Sequence, residues 1–176
     1  MSAATLFPSV LGAEFASLDP CLRRVHSGES CRLKGSVTVE HGMSFMVRAL
    51  GALASLPSAM TDAPIEVRIE GIGKVEKWTR LFGSGDCMTS TLQRDGALLV
   101  EKLGPAALSF RLSARGGTMK WVLERITAFG ISLPVECFCI SATIDVRDGR
   151  YHFVVDSELR RVGRIVRYEG LLDAAA

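Results

Sequence analysis

Arg80 and Glu101 are charged residues on predicted strand faces that are otherwise apolar. Arg80 alternates with Trp78 and Phe82 in the segment EKWTRLF, and Glu101 alternates with leucines in LLVEKL. Burying a charge costs several kcal/mol unless the charge is paired or hydrated. The pattern is compatible with a structural ion pair inside the sheet, or with charges at strand ends in solvent. It is also compatible with a ligand-binding pocket in which Arg80 and Glu101 face a ligand and Trp78 and Phe82 form the apolar wall.

If these residues line a pocket, their chemical types are suited to proton transfer. Glu101 would act as the general base or acid, and Arg80 would stabilise a carboxylate, enolate or phenolate oxygen. Tyr168 or His41 would supply a second proton. Tyr168 alternates with apolar residues in GRIVRYEGLL. His41, whose side-chain type titrates near neutral pH, ends an alternating segment just before a predicted helix.

The other histidines and the glycine-rich segments indicate no further chemistry. His26 is expected at a helix end, where an imidazole can bond the last carbonyl oxygens, and His152 is expected to be exposed beside a hairpin turn. The segments GIGKVEK and GSGDC lack the arrangement of a phosphate-binding loop, and the chain has no nucleophile elbow and no GxGxxG motif. The sequence therefore predicts no cofactor.

The five cysteines are odd in number and irregularly spaced. This usage is typical of reduced thiols in a cytoplasmic protein rather than of a disulfide framework. Cys137 and Cys139 would share one face of an apolar strand, and no second pair of cysteines or histidines accompanies them. We interpret them as small buried hydrophobic residues, and no metal site is predicted.

The composition narrows the class of protein. The 176 residues are 48% hydrophobic and 23% charged, as in an ordinary globular protein, with a formal net charge of +2. The 21 lysines and arginines are scattered along the chain, which argues against nucleic-acid binding. No apolar stretch is long enough for a membrane span, and the start of the chain lacks the features of a secretory signal. We therefore expect a cytoplasmic protein. Both a monomer and a homodimer are compatible with the sequence.

Short alternating segments separated by turn residues dominate the chain from residue 65 onward. Asp95-Gly96 and Asp148-Gly149 are the strongest hairpin signals among these turns. Most links are too short for helical crossovers, so successive strands should be antiparallel neighbours. The segment ITAFGISLP is the least regular and is expected to form a loop or bend. About eight or nine strands in such a meander tend to curl or close.

These elements predict one domain over residues 1–176, with a β-rich α+β fold. A helical segment at 1–30, with Ser17 or Asp19 as N-cap, precedes a strand and helix at 35–57 and an antiparallel sheet at 64–172. We expect a strongly curved meander, a half-barrel or lipocalin-like barrel, wrapped around one or two helices. The helix near 44–56 would fill the concave side. A flat two-layer α+β sandwich is the alternative.

The order of the motifs resembles a bacterial family of unknown function, domain-of-unknown-function family 4166, which occurs alone and behind saccharopine-dehydrogenase-like domains. The likeness spans nearly the whole chain and rests on LFPSVLG, GSVTVEHG, ALASLP, EKWTRLFG with Ser90 shortly after, VEKLGP, SLP, DGRYHFVVD and VGRIVRYEGLL. By this resemblance, the motif positions of the family fall on Trp78, Arg80, Glu101, Gly104, Pro105, Gly163 and Tyr168. The chain departs from the family pattern at ISATI, where Asp145 is the nearest carboxylate, and at Arg160-Arg161, which replaces a proline. The resemblance implies a whole domain and no particular reaction.

Three functions fit these observations. The first, which the sequence favours, is a binding domain that holds a small lipophilic ligand, acidic or carbonyl-containing, in an internal pocket. The second is a cofactor-independent isomerase, cyclase or hydrolase that uses Glu101 and Arg80 in the same pocket. The third is an interaction or regulatory module that docks a sheet edge or apolar face onto another protein.

Overall fold

Strands make up most of the protein in its computed structural model, which describes residues 5–42, 56–72 and 74–174. The N-terminal part contains α1 (Leu6–Leu11), a 3-10 helix (Gly12–Ser17) and α2 (Pro20–Val25). A second 3-10 helix spans Val135–Cys137. The eleven strands are β1 (Cys31–His41), β2 (Met60–Ile72), β3 (Val75–Phe82), β4 (Cys87–Asp95), β5 (Leu98–Leu103), β6 (Ala106–Arg115), β7 (Thr118–Ala128), β8 (Ile131–Leu133), β9 (Phe138–Arg147), β10 (Arg150–Leu159) and β11 (Gly163–Ala174).

Ten of the strands close into an antiparallel barrel. The order is β6-β5-β4-β3-β2-β1-β11-β10-β9-β7, and β7 returns to pair with β6. Sequential strands are neighbours almost throughout because tight turns join them. At Asp148 and Gly149, for example, φ is 51° and 75°, as a two-residue hairpin turn requires. The structure confirms the predicted antiparallel barrel rather than the flat sandwich.

On the side of β7 away from β6, two strands share the pairing. Met119–Val122 pair with β9, whereas Ile126–Ala128 pair with the short strand β8. The expectation of a loop at ITAFGISLP is therefore wrong in part. β7 continues to Ala128, a turn with positive φ at Phe129 and Gly130 reverses the chain, and β8 runs back along it.

The N-terminal helices cover one end of the barrel, here called the helix end. Phe7 of α1 is fully buried and packs within 6.3 Å, between ring centroids, of Trp78 and Trp121. Ser17 donates a hydrogen bond to the carbonyl oxygen of Ala114, 2.8 Å away, where β6 ends. Asp19 is the N-cap of α2 and accepts from the backbone N–H of Cys21, 2.8 Å away, as one of the two predicted caps would.

The helix predicted near 44–56 falls almost entirely on residues 43–55, which lie outside the described residues. The helical filling that the structure does show comes from the N-terminal segment. None of the helices in the described part of the chain is long and apolar enough to cross a membrane.

Candidate functional site inside the barrel

Three neighbouring strands bring Arg80, Ser90 and Glu101 together on the inner face of the barrel. One guanidinium nitrogen of Arg80, Nη2, donates to Oε1 of Glu101 at 3.1 Å, and the other, Nη1, donates to Oγ of Ser90 at 3.0 Å. Ser90 in turn donates to the same Oε1 of Glu101 at 2.6 Å. We call these three side chains the Arg80–Ser90–Glu101 cluster.

The cluster explains how a guanidinium is accommodated between two large aromatic residues. The side chains of Arg80 and Glu101 are only 10% and 15% exposed, so the two charges neutralise each other in an environment with little water. The guanidinium carbon also lies 5.2 Å from the ring centroid of Trp78, within the range of a cation–π contact. Each charge therefore has a partner in the interior.

Two cavities lie inside the barrel, and the Arg80–Ser90–Glu101 cluster is near their junction. The inner cavity, towards the helix end, has an empty volume of about 710 Å³ and is lined by Trp78, Arg80, Trp121 and Tyr151, among others. The outer cavity has an empty volume of about 980 Å³ and is lined mainly by aliphatic residues such as Leu108. Both volumes include the space that is open to solvent. The residues common to the two linings, which define the junction, are Glu101, Phe110, Ile140, Val155 and Tyr168.

Tyr168 lies at the junction of the two cavities. Burial raises the pKa of this phenol to about 12, while the positive charge of Arg80 acts to lower it and the negative charge of Glu101 to raise it. The hydroxyl makes no hydrogen bond with any residue of the described ranges. Tyr168 therefore stays a neutral phenol that can still donate or accept a hydrogen bond.

The structure does not bring the remaining predicted site residues into these cavities. Phe82 is buried on the same side of β3 as Arg80, but it lines neither cavity. His41, at the end of β1, donates from Nε2 to the carbonyl oxygen of Pro57, 2.6 Å away, and it also lines neither cavity. Of the six predicted residues, Trp78, Arg80, Glu101 and Tyr168 meet around the inner cavity.

Ser90 entered the sequence analysis only as a motif residue, and its alternation shows why it belongs to the site. In CMTSTLQRD, Ser90 stands between Met88 and Leu92 on the buried face of β4. A small polar residue on such a face signals a hydrogen-bond partner inside. That partner becomes identifiable only with the register that places β4 between β3 and β5.

The prediction that His152 is exposed is wrong. His152 is only 3% exposed and lies on the outer surface of the barrel between two carboxylates. Its Nδ1 is 2.6 Å from Oδ1 of Asp145, its partner on β9, and its Nε2 is 3.0 Å from Oε1 of Glu169 on β11. Neighbouring long side chains cover the imidazole even though its face of the sheet is the polar one.

The expectation that Cys137 and Cys139 are buried together is also wrong. Cys137 is half-buried at the end of the second 3-10 helix, and Cys139 is exposed on β9, because the strand begins only at Phe138. All five cysteines are free thiols. Within the described ranges, no three histidine, cysteine or acidic side chains are grouped in a way that could hold a metal ion.

Two buried ionisable groups that the sequence analysis did not assign to the interior lie at the helix end. His26 packs on Phe7 at a centroid distance of 4.2 Å, and its Nε2 is 3.3 Å from the hydroxyl of Tyr151. Glu76 accepts a hydrogen bond from Nε1 of Trp78 at 2.9 Å. Burial lowers the pKa of His26 to about 3 and raises the pKa of Glu76. His26 is therefore held in its neutral form, and burial also shifts Glu76 towards its neutral, protonated form.

His26 should make the stability of the protein depend on pH. Because its pKa in the folded protein, about 3, is below the ordinary value of 6.5, the unfolded chain binds more protons between these values. The His26 contribution is present above pH 6.5 and is lost as the pH falls towards 3. We expect the free energy of unfolding of H26Q, measured by urea denaturation across this range, to lack that decline.

Glu76 titrates with the opposite sign and provides the control. Its raised pKa contributes stability that is present below the unfolded-state value and is lost as the pH rises through the folded-state pKa. The E76Q variant should therefore keep the His26-dependent decline. If the wild type and H26Q show parallel profiles between pH 6.5 and 3, His26 is not the buried neutral base that its surroundings indicate.

Comparison with known proteins finds one family. The model of the family described as Domain of unknown function (DUF4166) matches residues 18–172. This range contains β1 to β10 and all but the last two residues of β11. No curated protein matches the chain. The matched range contains Arg80, Ser90, Glu101 and Tyr168.

Proposed function

The chain belongs to the DUF4166 family, and from this premise and the geometry of its interior we propose that the protein is a small-molecule binding domain that holds a lipophilic ligand inside the barrel. The observation that carries this proposal is a pair of adjoining, mainly apolar cavities whose one cation in the described linings, Arg80, is already paired with Glu101. Antiparallel barrels of this size commonly enclose one small ligand.

The state of Glu101 favours binding over catalysis. A general base works best when its carboxylate faces the substrate without a neutralising partner. Here Oε1 of Glu101 already accepts hydrogen bonds from Arg80 and Ser90. The positive charge of Arg80 is already neutralised by this carboxylate, so an oxyanion would have to compete with Glu101 for it.

Enzymatic proton transfer is the second candidate, and one observation favours it. Glu101 and Tyr168 both line the junction, and neither Oε2 of Glu101 nor the hydroxyl of Tyr168 has a hydrogen-bond partner in the described ranges. A ligand held there would contact an acid–base pair. Turnover of a bound carbonyl compound that is lost in both Y168F and E101Q would establish this candidate instead.

The proposal is tested by filling the inner cavity from β9. Ala142 lines this cavity, so A142F should place a ring in the ligand volume. We expect a fluorescent apolar probe, N-phenyl-1-naphthylamine, to bind the wild type and to bind A142F at least about tenfold more weakly. Native mass spectrometry of protein purified from its own host should in addition show a co-purifying small molecule that A142F lacks.

The control and a second variant keep this test decisive. A59F adds the same ring at an exposed residue and should bind the probe as the wild type does. Because overpacking can unfold a core, circular dichroism must show that A142F is folded, and I140W, which fills the junction, replaces it if it is not. Equal probe binding by a folded cavity variant and the wild type contradicts the proposal.

A further inference from the structure

The junction between the two cavities is polar at only two of its five residues. Glu101 and Tyr168 are the two polar residues, whereas the side chains of Phe110, Ile140 and Val155 are hydrocarbon. Arg80 lines the inner cavity together with these two residues, and its charge and that of Glu101 act in opposite directions on the pKa of the Tyr168 phenol. A ligand at the junction therefore meets a polar position between two mainly apolar spaces.

Only one of the two carboxylate oxygens of Glu101 has hydrogen-bond partners among the described residues. Oε1 accepts from both Arg80 and Ser90, at 3.1 Å and 2.6 Å. Oε2 accepts no hydrogen bond from the described residues. The side chain is 15% exposed, so water can reach this oxygen, but a ligand that displaces the water without donating a hydrogen bond would leave the acceptor unsatisfied, at a cost of about 1–3 kcal/mol or more for a charged group. The position therefore favours an occupant that donates a hydrogen bond.

Tyr168 supplies the complementary half of the contact. Its pKa of about 12 keeps the hydroxyl protonated, and the group makes no hydrogen bond with any residue in the described ranges. A phenol can donate to an occupant's oxygen while Glu101 accepts that occupant's proton. An alcohol hydroxyl, which is donor and acceptor at one atom, satisfies both side chains together. A ketone, ester or ether can satisfy only Tyr168.

The charges around the two cavities disfavour an ionised ligand. Arg80 is the one cation among the described residues that line either cavity, and Glu101 already neutralises it. A carboxylate ligand would meet Oε2 of Glu101 as a like charge, without a free cation to offset its desolvation. An ammonium ligand would have to compete with Arg80 for the same carboxylate. A neutral ligand is favoured over both.

We infer that the ligand is a neutral apolar alcohol whose hydroxyl lies at the junction, donating to Oε2 of Glu101 and accepting from the phenol of Tyr168. The apolar part of the molecule fills the adjoining cavity. This inference rests on the proposed binding function and narrows it, because the sequence alone left acidic and carbonyl-containing ligands open.

The test is a displacement series against N-phenyl-1-naphthylamine at neutral pH. Dodecanol and decahydronaphthol are each compared with the corresponding methyl ether, and dodecanol also with dodecanoate. We expect at least one alcohol to displace the probe about tenfold more strongly than its ether, the value of a hydrogen bond to a charged acceptor. Dodecanoate should be weaker than dodecanol.

Variants assign the preference to the two side chains. In E101Q the amide oxygen keeps the contacts with Arg80 and Ser90, and an N–H donor replaces Oε2, so the preference for alcohol over ether should disappear or reverse. Y168F should weaken alcohol and ether alike, by about fivefold. E70Q, which changes an exposed glutamate on β2, should leave the series unchanged.

The outcomes separate this inference from the proposed function. If the probe binds but alcohols and ethers displace it equally, or if dodecanoate is the strongest competitor, the alcohol inference is wrong and the binding function stands. If the probe does not bind the folded wild type, both are wrong. An alcohol preference that persists in E101Q also contradicts the assignment to Glu101.

Discussion

Replacing Arg80 with alanine is expected to lower the free energy of unfolding by about 3 kcal/mol, which is the cost of leaving one partner of a buried ion pair alone. In R80A the carboxylate of Glu101, whose side chain is 15% exposed, would keep only the hydrogen bond from Ser90. The adjoining cavities let some water reach it, which places the expected value at the lower end of the range for buried pairs. Urea denaturation monitored by tryptophan fluorescence measures the change.

A double-mutant cycle separates the pair from its surroundings. R80M and E101L together remove both charges while keeping apolar bulk, so the double variant should recover most of the stability that R80M alone loses. Arg111 and Glu124 are a matched pair on neighbouring strands, with Nε and Oε1 2.7 Å apart but side chains 62% and 37% exposed. R111M should cost less than about 1 kcal/mol. If R80M and R111M cost the same, the interior pair is hydrated and is not the buried cluster described above.

Replacing Phe7 with alanine is expected to cost about 3–5 kcal/mol, the range for a large aromatic residue removed from a core. Phe7 is fully buried, and its ring contacts those of His26, Trp78 and Trp121. Its loss leaves a void between the N-terminal helices and the barrel that neighbouring rings cannot fill without leaving their own contacts. Urea denaturation gives the free energy.

The control for this variant is Phe129 in the turn between β7 and β8, which is 68% exposed. F129A should change the free energy of unfolding by no more than about 0.5 kcal/mol. A small effect of F7A, similar to that of F129A, would mean that α1 does not contribute its ring to the folded core.

Local signals were sufficient to predict the strands. The alternation in EKWTRLF places Arg80 and Trp78 on one face without any knowledge of the fold, and Asp148-Gly149 marks its hairpin because those residues tolerate the required φ angles. Because side chains alternate between the two faces of a strand, Arg80 and Glu101 are expected on the same faces as their apolar neighbours. The local pattern therefore favoured a curled antiparallel sheet and placed both charges on apolar strand faces, while a flat sandwich and charges at strand ends in solvent stayed open.

The rest of the site depends on contacts between distant residues. Arg80 and Glu101 meet through Ser90 because of the register of β3, β4 and β5. The sequence of a single strand does not reveal this register. His152 was misjudged for the same reason, since Asp145 and Glu169 come from two other strands. α1 and α2 have six residues each, too few for a clear helical period, so their role at the helix end had no signal in the sequence.

The divided pairing of β7 has a consequence for where the barrel wall can open. Only Met119–Val122 of β7 are hydrogen-bonded to β9, the shortest pairing in the ring. Local opening starts where the fewest backbone bonds must break, so fluctuations should part the barrel wall here first. Trp121 on one side and Ala142 on the other both border the inner cavity. Opening at this seam would connect the inner cavity with solvent through the side of the barrel, without displacing the N-terminal helices.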